Sequence, residues 1–261
     1  MKTIINEDSF IHLKTLDENT FDSCVTDPPY ELGFMGKSWD GTGIAFNVDF
    51  WKEVLRTLKP GGHLIAFSAS RNYHRMAVAI EDAGFEIRDQ IMWIYGTGFP
   101  KSLNLGKAID KKEGNDREVI GTTNQQDITS GNYVHGPSQR KDIPITKGTS
   151  EWEGWGTALK PAHEPIVMAR KQLSEKSIKE NVLKHGTGAI NIDGCRIPYG
   201  EGNEPIPQLA QGKTKVNSTK TMFDGPSLHK SKTEAVIGGS LDGRFPANVM
   251  HDGSEEVVSE F

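Results

Sequence analysis

Asp27-Pro28-Pro29-Tyr30 puts a carboxylate, two imino acids and an aromatic ring into four consecutive residues. A proline contributes a carbonyl but no N–H, and its fixed φ stiffens the turn it sits in. The Pro28 carbonyl can therefore stand as a rigid acceptor beside the Asp27 carboxylate. Two acceptors close together suit a planar amino group with two hydrogens to give. The exocyclic amine of adenine or cytosine is such a group, and a poor nucleophile because its lone pair is delocalised into the ring. Fixed acceptors on both N–H bonds favour a pyramidal nitrogen whose lone pair can attack a methyl group in line, through positioning and through stabilisation of the developing positive charge. Tyr30 adds a face on which a base flipped out of a duplex can stack, worth ~1–3 kcal/mol. The same four residues also suit a plain strand-ending turn with a helix-capping acid, so the decision falls to the surrounding chain.

The first hundred residues read as alternating strands and helices. Residues 3–6 are a strand candidate, and Ser9 is placed to cap a helix carrying Phe10, Leu13 and Leu16. Residues 22–26 make a short buried strand, stopped by Asp27 and two prolines that cannot donate to a ladder. Phe50, Trp51, Val54, Leu55 and Leu58 recur at helical spacing, and Lys59-Pro60-Gly61-Gly62 ends that helix. An apolar strand over residues 63–67 follows, then a helix over residues 72–83 stopped by Gly84, then a long strand over residues 85–95. This order predicts a parallel sheet covered by helices, with Asp27 outside the carboxyl end of a strand, where open α/β sheets bind ligands.

The second half is less regular. Residues 113–150 are polar and read as an excursion from the core. Residues 165–169 (PIVMA) predict one more buried strand, and residues 174–185 a helix. Residues 200–240 are again polar and predict loop or partial disorder. Hydrophobic residues make up 35% of the chain, with 28 glycines and 13 prolines and a mean hydropathy of -0.51, which suits one moderate core with many turns. No apolar run approaches the ~20 residues of a membrane span, and the first residues lack a signal peptide's apolar core. Two cysteines, Cys24 and Cys195, predict reduced thiols in a cytoplasmic protein. A net charge of -5 does not itself announce a nucleic-acid partner, since binding depends on a local basic face. His163-Glu164 invites a metal or acid–base reading. No third ligand lies at suitable spacing, so no metal is expected and a structural use is favoured.

Beyond the four residues, longer segments follow in a recognisable order: residues 19–30 (NTFDSCVTDPPY), 55–67 (LRTLKPGGHLIAF), 89–104 (DQIMWIYGTGFPKSLN), 158–169 (ALKPAHEPIVMA), 186–197 (GTGAINIDGCRI) and 243–254 (GRFPANVMHDGS). Together they resemble the S-adenosylmethionine-dependent amino-methyltransferases of DNA, in the phage-type, site-specific form. Asp27-Pro28-Pro29-Tyr30 matches that family's motif IV. The resemblance implies the catalytic roles derived above for Asp27, Pro28, Pro29 and Tyr30, S-adenosyl-L-methionine as cofactor and double-stranded DNA as partner. An aspartate as the first motif letter is more typical of N6-adenine enzymes, while N4-cytosine enzymes more often carry serine.

One departure stands out. The family's glycine-rich cofactor turn, of the form Asp-Pro-Phe-x-Gly-x-Gly, has no match, and the 26 residues before Asp27 are too few for the units that lie upstream in unpermuted relatives. The expectation is therefore a permuted enzyme in truncated or split form, with a separately encoded cofactor-binding half as a further partner. Asp8 and Asp27 are the cofactor-binding candidates. Asp8 takes the place of an acidic residue after the first strand in relatives, although it also suits the N-terminus of a helix. For DNA the candidates are Trp39, which follows the catalytic loop, Arg140 and Lys141, and Lys213, Lys215 and Lys220 in the most lysine-rich stretch, whose low aromatic content suits phosphate contacts. The expected fold is α/β, a partial Rossmann-like methyltransferase core (mostly parallel sheet flanked by helices) with an inserted polar target-recognition region. Its parts are a catalytic region over residues 1–112, the insertion over 113–157, a return to the core over 158–199 and a loop-rich extension over 200–261. The competing readings are N4-cytosine methylation, methylation of RNA or of a protein amide, and a DNA-binding remnant without activity.

Overall fold

Helix α1 (Ser9–Leu13) starts one residue earlier than its capping signal suggests. Asp8, rather than Ser9, is the cap, because its Oδ1 accepts from the N–H groups of Phe10 at 2.9 Å and Ile11 at 3.0 Å. Phe10 then meets Phe50 edge to face at 5.8 Å. Replacing Asp8 by alanine is expected to cost the helix about 1 kcal/mol, so amide exchange at Phe10 and Ile11 should quicken roughly fivefold. Unchanged exchange would show that packing alone holds this turn.

The structure, a computed structural model, describes residues 2–33, 38–98, 102–126, 140–199 and 243–259. They fall into two units, one of Met1–Ile94 with His163–Asp252 and another of Tyr95–Ala162 with Gly253–Phe261. In the first unit, strand β1 (Phe21–Thr26) leads to the catalytic turn. Helix α2 (Val48–Thr57) is capped by Asn47, and strand β2 (Leu58–Phe67) follows it directly. Helix α3 (Tyr73–Asp82) and strand β3 (Glu86–Ile94) complete the first half. Lys59-Pro60-Gly61-Gly62 therefore does not form a turn outside the strands. It lies within β2, opposite a register shift between Phe21 and Ser23 of β1, where Gly61 takes a φ of 81° that a side chain would resist.

The second unit contains helix α4 (Leu105–Glu113), the antiparallel pair β4 (Glu118–Gln126) and β5 (Arg140–Lys147), and helix α6 (Glu255–Val258). Arg117 organises it. The guanidinium bonds the buried Asp110 of α4 and grips both carboxylate oxygens of Glu153, at 2.9 and 2.8 Å.

Strand β6 (His163–Arg170), helix α5 (Ile178–His185) and strand β7 (Val249–His251) return the chain to the first unit, giving a sheet in the order β1-β2-β6-β3-β7. β1 and β2 are parallel, as are β3 and β7, while β6 is antiparallel to both β2 and β3. Four strands thus share one direction and β6 alone opposes them. The mostly parallel, helix-flanked sheet expected from the element order is present, with one reversed strand at its centre. That reversal could not be read locally, because a continuous apolar run such as PIVMA is the same for either direction. The core lies on one face of the sheet, where Trp51 and Val54 of α2 and Met76 and Ile80 of α3 cover Leu64, Ala66, Val167 and Ala169.

Two expectations are corrected at the open edge of this sheet. Residues 3–6 form no strand, and Ile4 is 96% exposed. β1 is not buried either: among the described strands it pairs on one side only, and Val25 is 69% exposed, because a strand at the margin of a sheet has a neighbour on one flank alone. Among the described residues, no helix is long and apolar enough to cross a membrane.

Candidate active site

The carboxyl end of β1 runs straight into Asp27-Pro28-Pro29-Tyr30, so the sheet aims the turn while the prolines stop the ladder. Pro28 is buried, Pro29 and Tyr30 are half-buried and Asp27 is exposed, which leaves the carboxylate open to a guest. Three side chains from elsewhere hold the turn. Asn72, at the start of α3, donates its side-chain amide to the carbonyls of Tyr30 at 2.8 Å and Glu31 at 3.2 Å. Asp40, 2% exposed, accepts from the Glu31 N–H at 2.9 Å through Oδ1, and its own carbonyl accepts from the Gly33 N–H at 3.0 Å. These bonds keep Glu31 in the left-handed region, at a φ of 56°, a conformation that persists only when its surroundings over-determine it.

The third is Glu164. The Tyr30 hydroxyl donates to its Oε2 at 3.1 Å, across 134 residues of sequence. Because β6 runs against its neighbours, its first residues reach the end of the sheet where β1, β2 and β3 finish, and Glu164 arrives beside the catalytic turn. Burial, then the negative charges of Glu164 and Asp27, push the Tyr30 phenol far above its ordinary pKa. The ring remains a neutral donor.

Asp27, Pro28, Pro29, Tyr30, Leu32, Trp39, Asp40 and Glu164 line a cleft of about 450 Å³. A second cleft of about 400 Å³ lies at the opposite end of the strands, between His63, Arg88, Asp89 and Arg170 and the apolar side chains of Met168 and Ile178. There Arg170 is paired with Glu86 at 2.6 Å, and burial with the nearby Arg170 and Arg88 holds His63 below its usual pKa. The cleft at Asp27 is the site candidate, since ligands of open α/β sheets sit outside the carboxyl ends of strands.

The other sequence-derived candidates are scattered. Trp39 stands at the rim of the Asp27 cleft, 56% exposed. Asp8 caps α1. Arg140 and Lys141 open β5 in the second unit, opposite Gln126 and Gln125. Lys213, Lys215 and Lys220 lie outside the described residues, as does the whole lysine-rich stretch. Asn72 and the bond from Glu164 to Tyr30 were not visible in the sequence. His163-Glu164 drew notice there as a pair and was read as structural, and no local signal linked Glu164 to residue 30. Among the described residues, no three His, Cys, Asp or Glu side chains cluster as a metal site.

With the cleft defined, comparison with known proteins supplies the class. Residues 21–251 match the N6/N4 methyltransferase model, a DNA methylase, and the chain belongs to this family. It is 23% identical over 231 residues to the type II methyltransferase M.HindIII of Haemophilus influenzae, a match that covers 72% of this chain and 64% of that protein. It is 32% identical over 104 residues to M.HpaI of Haemophilus parainfluenzae, covering 38% of this chain and 33% of the other. Among solved structures, a DNA modification methylase from Thermus thermophilus, TTHA0409, shares 17% identity over 65% of this chain and 53% of that one, with a TM-score of 0.35. The chain thus spans less than two thirds of the length of M.HindIII.

Proposed function

We propose that this chain carries the methyl-accepting half of a site-specific DNA methyltransferase that transfers a methyl group to N6 of adenine. The observation that carries the reading is the cleft in which the Asp27 carboxylate, the Pro28-Pro29 turn and the Tyr30 ring converge at the carboxyl end of β1. A flipped base stacked on Tyr30 directs its amine at Asp27 and the Pro28 carbonyl, which hold the two N–H bonds and favour a lone pair that leaves the ring plane. As the nitrogen becomes positive, the Asp27 carboxylate stabilises the charge and stands ready to take the released proton. Asp27 at the first motif position favours adenine over cytosine.

The described residues fit the acceptor side of this reaction. Among the described residues, no strand is followed by a turn of the form Asp-Pro-Phe-x-Gly-x-Gly. S-adenosylmethionine, when bound, supplies the electrophilic methyl group, and the binding roles of Asp8 and Asp27 belong to this reading. So does a cofactor-binding half, separately encoded or appended, for which the open edge of β1 with its exposed Val25 is a suitable seat. Trp39, Arg140, Lys141, Lys213, Lys215 and Lys220 are assigned to double-stranded DNA, with residues 113–157 reading the target.

The test is incubation of the chain, alone and with its cofactor-binding half, with labelled S-adenosylmethionine and mixed-sequence DNA, followed by digestion to nucleosides. N6-methyladenine is the expected product. N4-methylcytosine without N6-methyladenine would move the reading to the other amine, and no labelled base under either condition would refute methyl transfer.

A further inference from the structure

The Tyr30 hydroxyl has one hydrogen to give and two carboxylates within reach. Its bond goes to Glu164 Oε2 at 3.1 Å, while the negatively charged Asp27 lines the same cleft and acts on the same phenol. The two choices have different consequences. A hydrogen on Glu164 leaves the Asp27 oxygens to the incoming amine. A hydrogen on Asp27 occupies an acceptor that the base requires.

We infer that Glu164 is a positioning residue of this site, which draws the Tyr30 hydroxyl away from Asp27 and so keeps the Asp27 carboxylate open and the Tyr30 ring fixed for the base. The inference rests on the methyl-accepting role given to Asp27 and Tyr30 above.

The surroundings are built for this. Glu164 lies opposite Trp93 of β3 in the ladder, and the next residue, Pro165, is fully buried with its carbonyl accepting from the Ser68 N–H at 3.0 Å. The backbone of Glu164 is therefore held on two sides. At the other end of the contact, Asn72 holds the Tyr30 carbonyl at 2.8 Å. Tyr30 is pinned at its main chain by α3 and at its hydroxyl by β6, which leaves little but the ring face to offer a guest. Neither bond uses Asp27. Asp40, also in the wall of the cleft, spends its Oδ1 on the Glu31 N–H.

The prediction separates hydrogen-bond acceptance from charge and from packing. In the assembly that methylates DNA, Glu164→Ala is expected to lower kcat about tenfold with a smaller change in KM for DNA, the pattern of an interaction that matters most in the transition state. Glu164→Gln keeps an acceptor oxygen at the same reach and is expected to retain activity within about threefold. In a Tyr30→Phe background, Glu164→Ala is expected to cost nothing further, because the bond is already gone. A second readout does not depend on activity. With fluorotyrosine incorporated and the Tyr30 resonance identified by its loss in Tyr30→Phe, Glu164→Ala is expected to shift that resonance and Glu164→Gln to leave it near its original place.

An additive loss in the Tyr30→Phe background, equal losses in Glu164→Gln and Glu164→Ala, or a Tyr30 resonance indifferent to Glu164→Ala would each overturn the inference. Full activity in Asp27→Ala would instead overturn the assignment of the site itself, so the two failures are distinguishable.

Discussion

Asp27→Ala is expected to lower methylation by at least ~10²–10³-fold in any active assembly, while DNA affinity changes by less than about threefold. The magnitude follows from what one well-placed polar group contributes when charge develops in a preorganised site. Asp27 is the exposed member of the turn, and it lines the cleft in which the amine is proposed to become positive. Alanine removes that acceptor and leaves the Pro28 carbonyl alone to hold one N–H bond. The fold should not suffer, because Asp27 contributes nothing to the core. Binding should persist for a similar reason, since most affinity for DNA comes from phosphate contacts and one exposed acid beside them opposes rather than supplies it. Single-turnover methylation and a binding isotherm at fixed salt separate the two effects. An active Asp27→Ala variant would remove Asp27 from the chemistry.

The largest loss of stability is expected from Trp51→Ala, about 3–5 kcal/mol. Trp51 has no exposed surface, meets Phe50 edge to face at 4.9 Å, and donates its indole N–H to the Ala45 carbonyl at 2.9 Å. Truncation leaves a cavity beneath α2 and strips the Ala45 carbonyl of its partner, so the two costs compound. The effect should reach the site, because Ala45 belongs to the short helical turn Ile44–Phe46 that follows Asp40, and Asp40 holds Glu31. Urea unfolding checks the number, with Val78→Ala as the companion. Val78 is 53% exposed on α3 and should change stability by no more than about 0.5 kcal/mol. Equal losses in the two variants would show that burial is not what sets the cost at Trp51.

The legible part of the protein was local. Pro28 and Pro29 stop a strand by chemistry that needs no neighbour, and Gly84 ends α3 at a φ of 106°, so helices and strands appear close to where their residue types put them. Asp27-Pro28-Pro29-Tyr30 was readable for the same reason, being contiguous. What escaped was pairing. Leu58 to Gly62 carry the residues of a turn, yet β1 draws them into a strand by offering Phe21 opposite Leu58. The exposure of Val25 depends on β1 having no second neighbour among the described strands, which no window of sequence reports. Glu164 reaches Tyr30 only because β6 is reversed, and direction is a property of the sheet rather than of HEPIVMAR.

Reversal of β6 has another outcome. Ile94, the last residue of β3, lies in register with His163, the first of β6, and the pairing continues from Tyr95 N–H to the Ala162 carbonyl at 3.0 Å. The chain therefore leaves the sheet and rejoins it at one point, as a hairpin does, with all of Tyr95–Ala162 as its connection. The entropy of closing such a connection grows only with the logarithm of its length, so residues can be gained, lost or exchanged there at little cost to the sheet. Evolution can treat that stretch as a replaceable cassette, joined to the sheet where Ile94 meets His163, while Asp27 and its partners stay as they are.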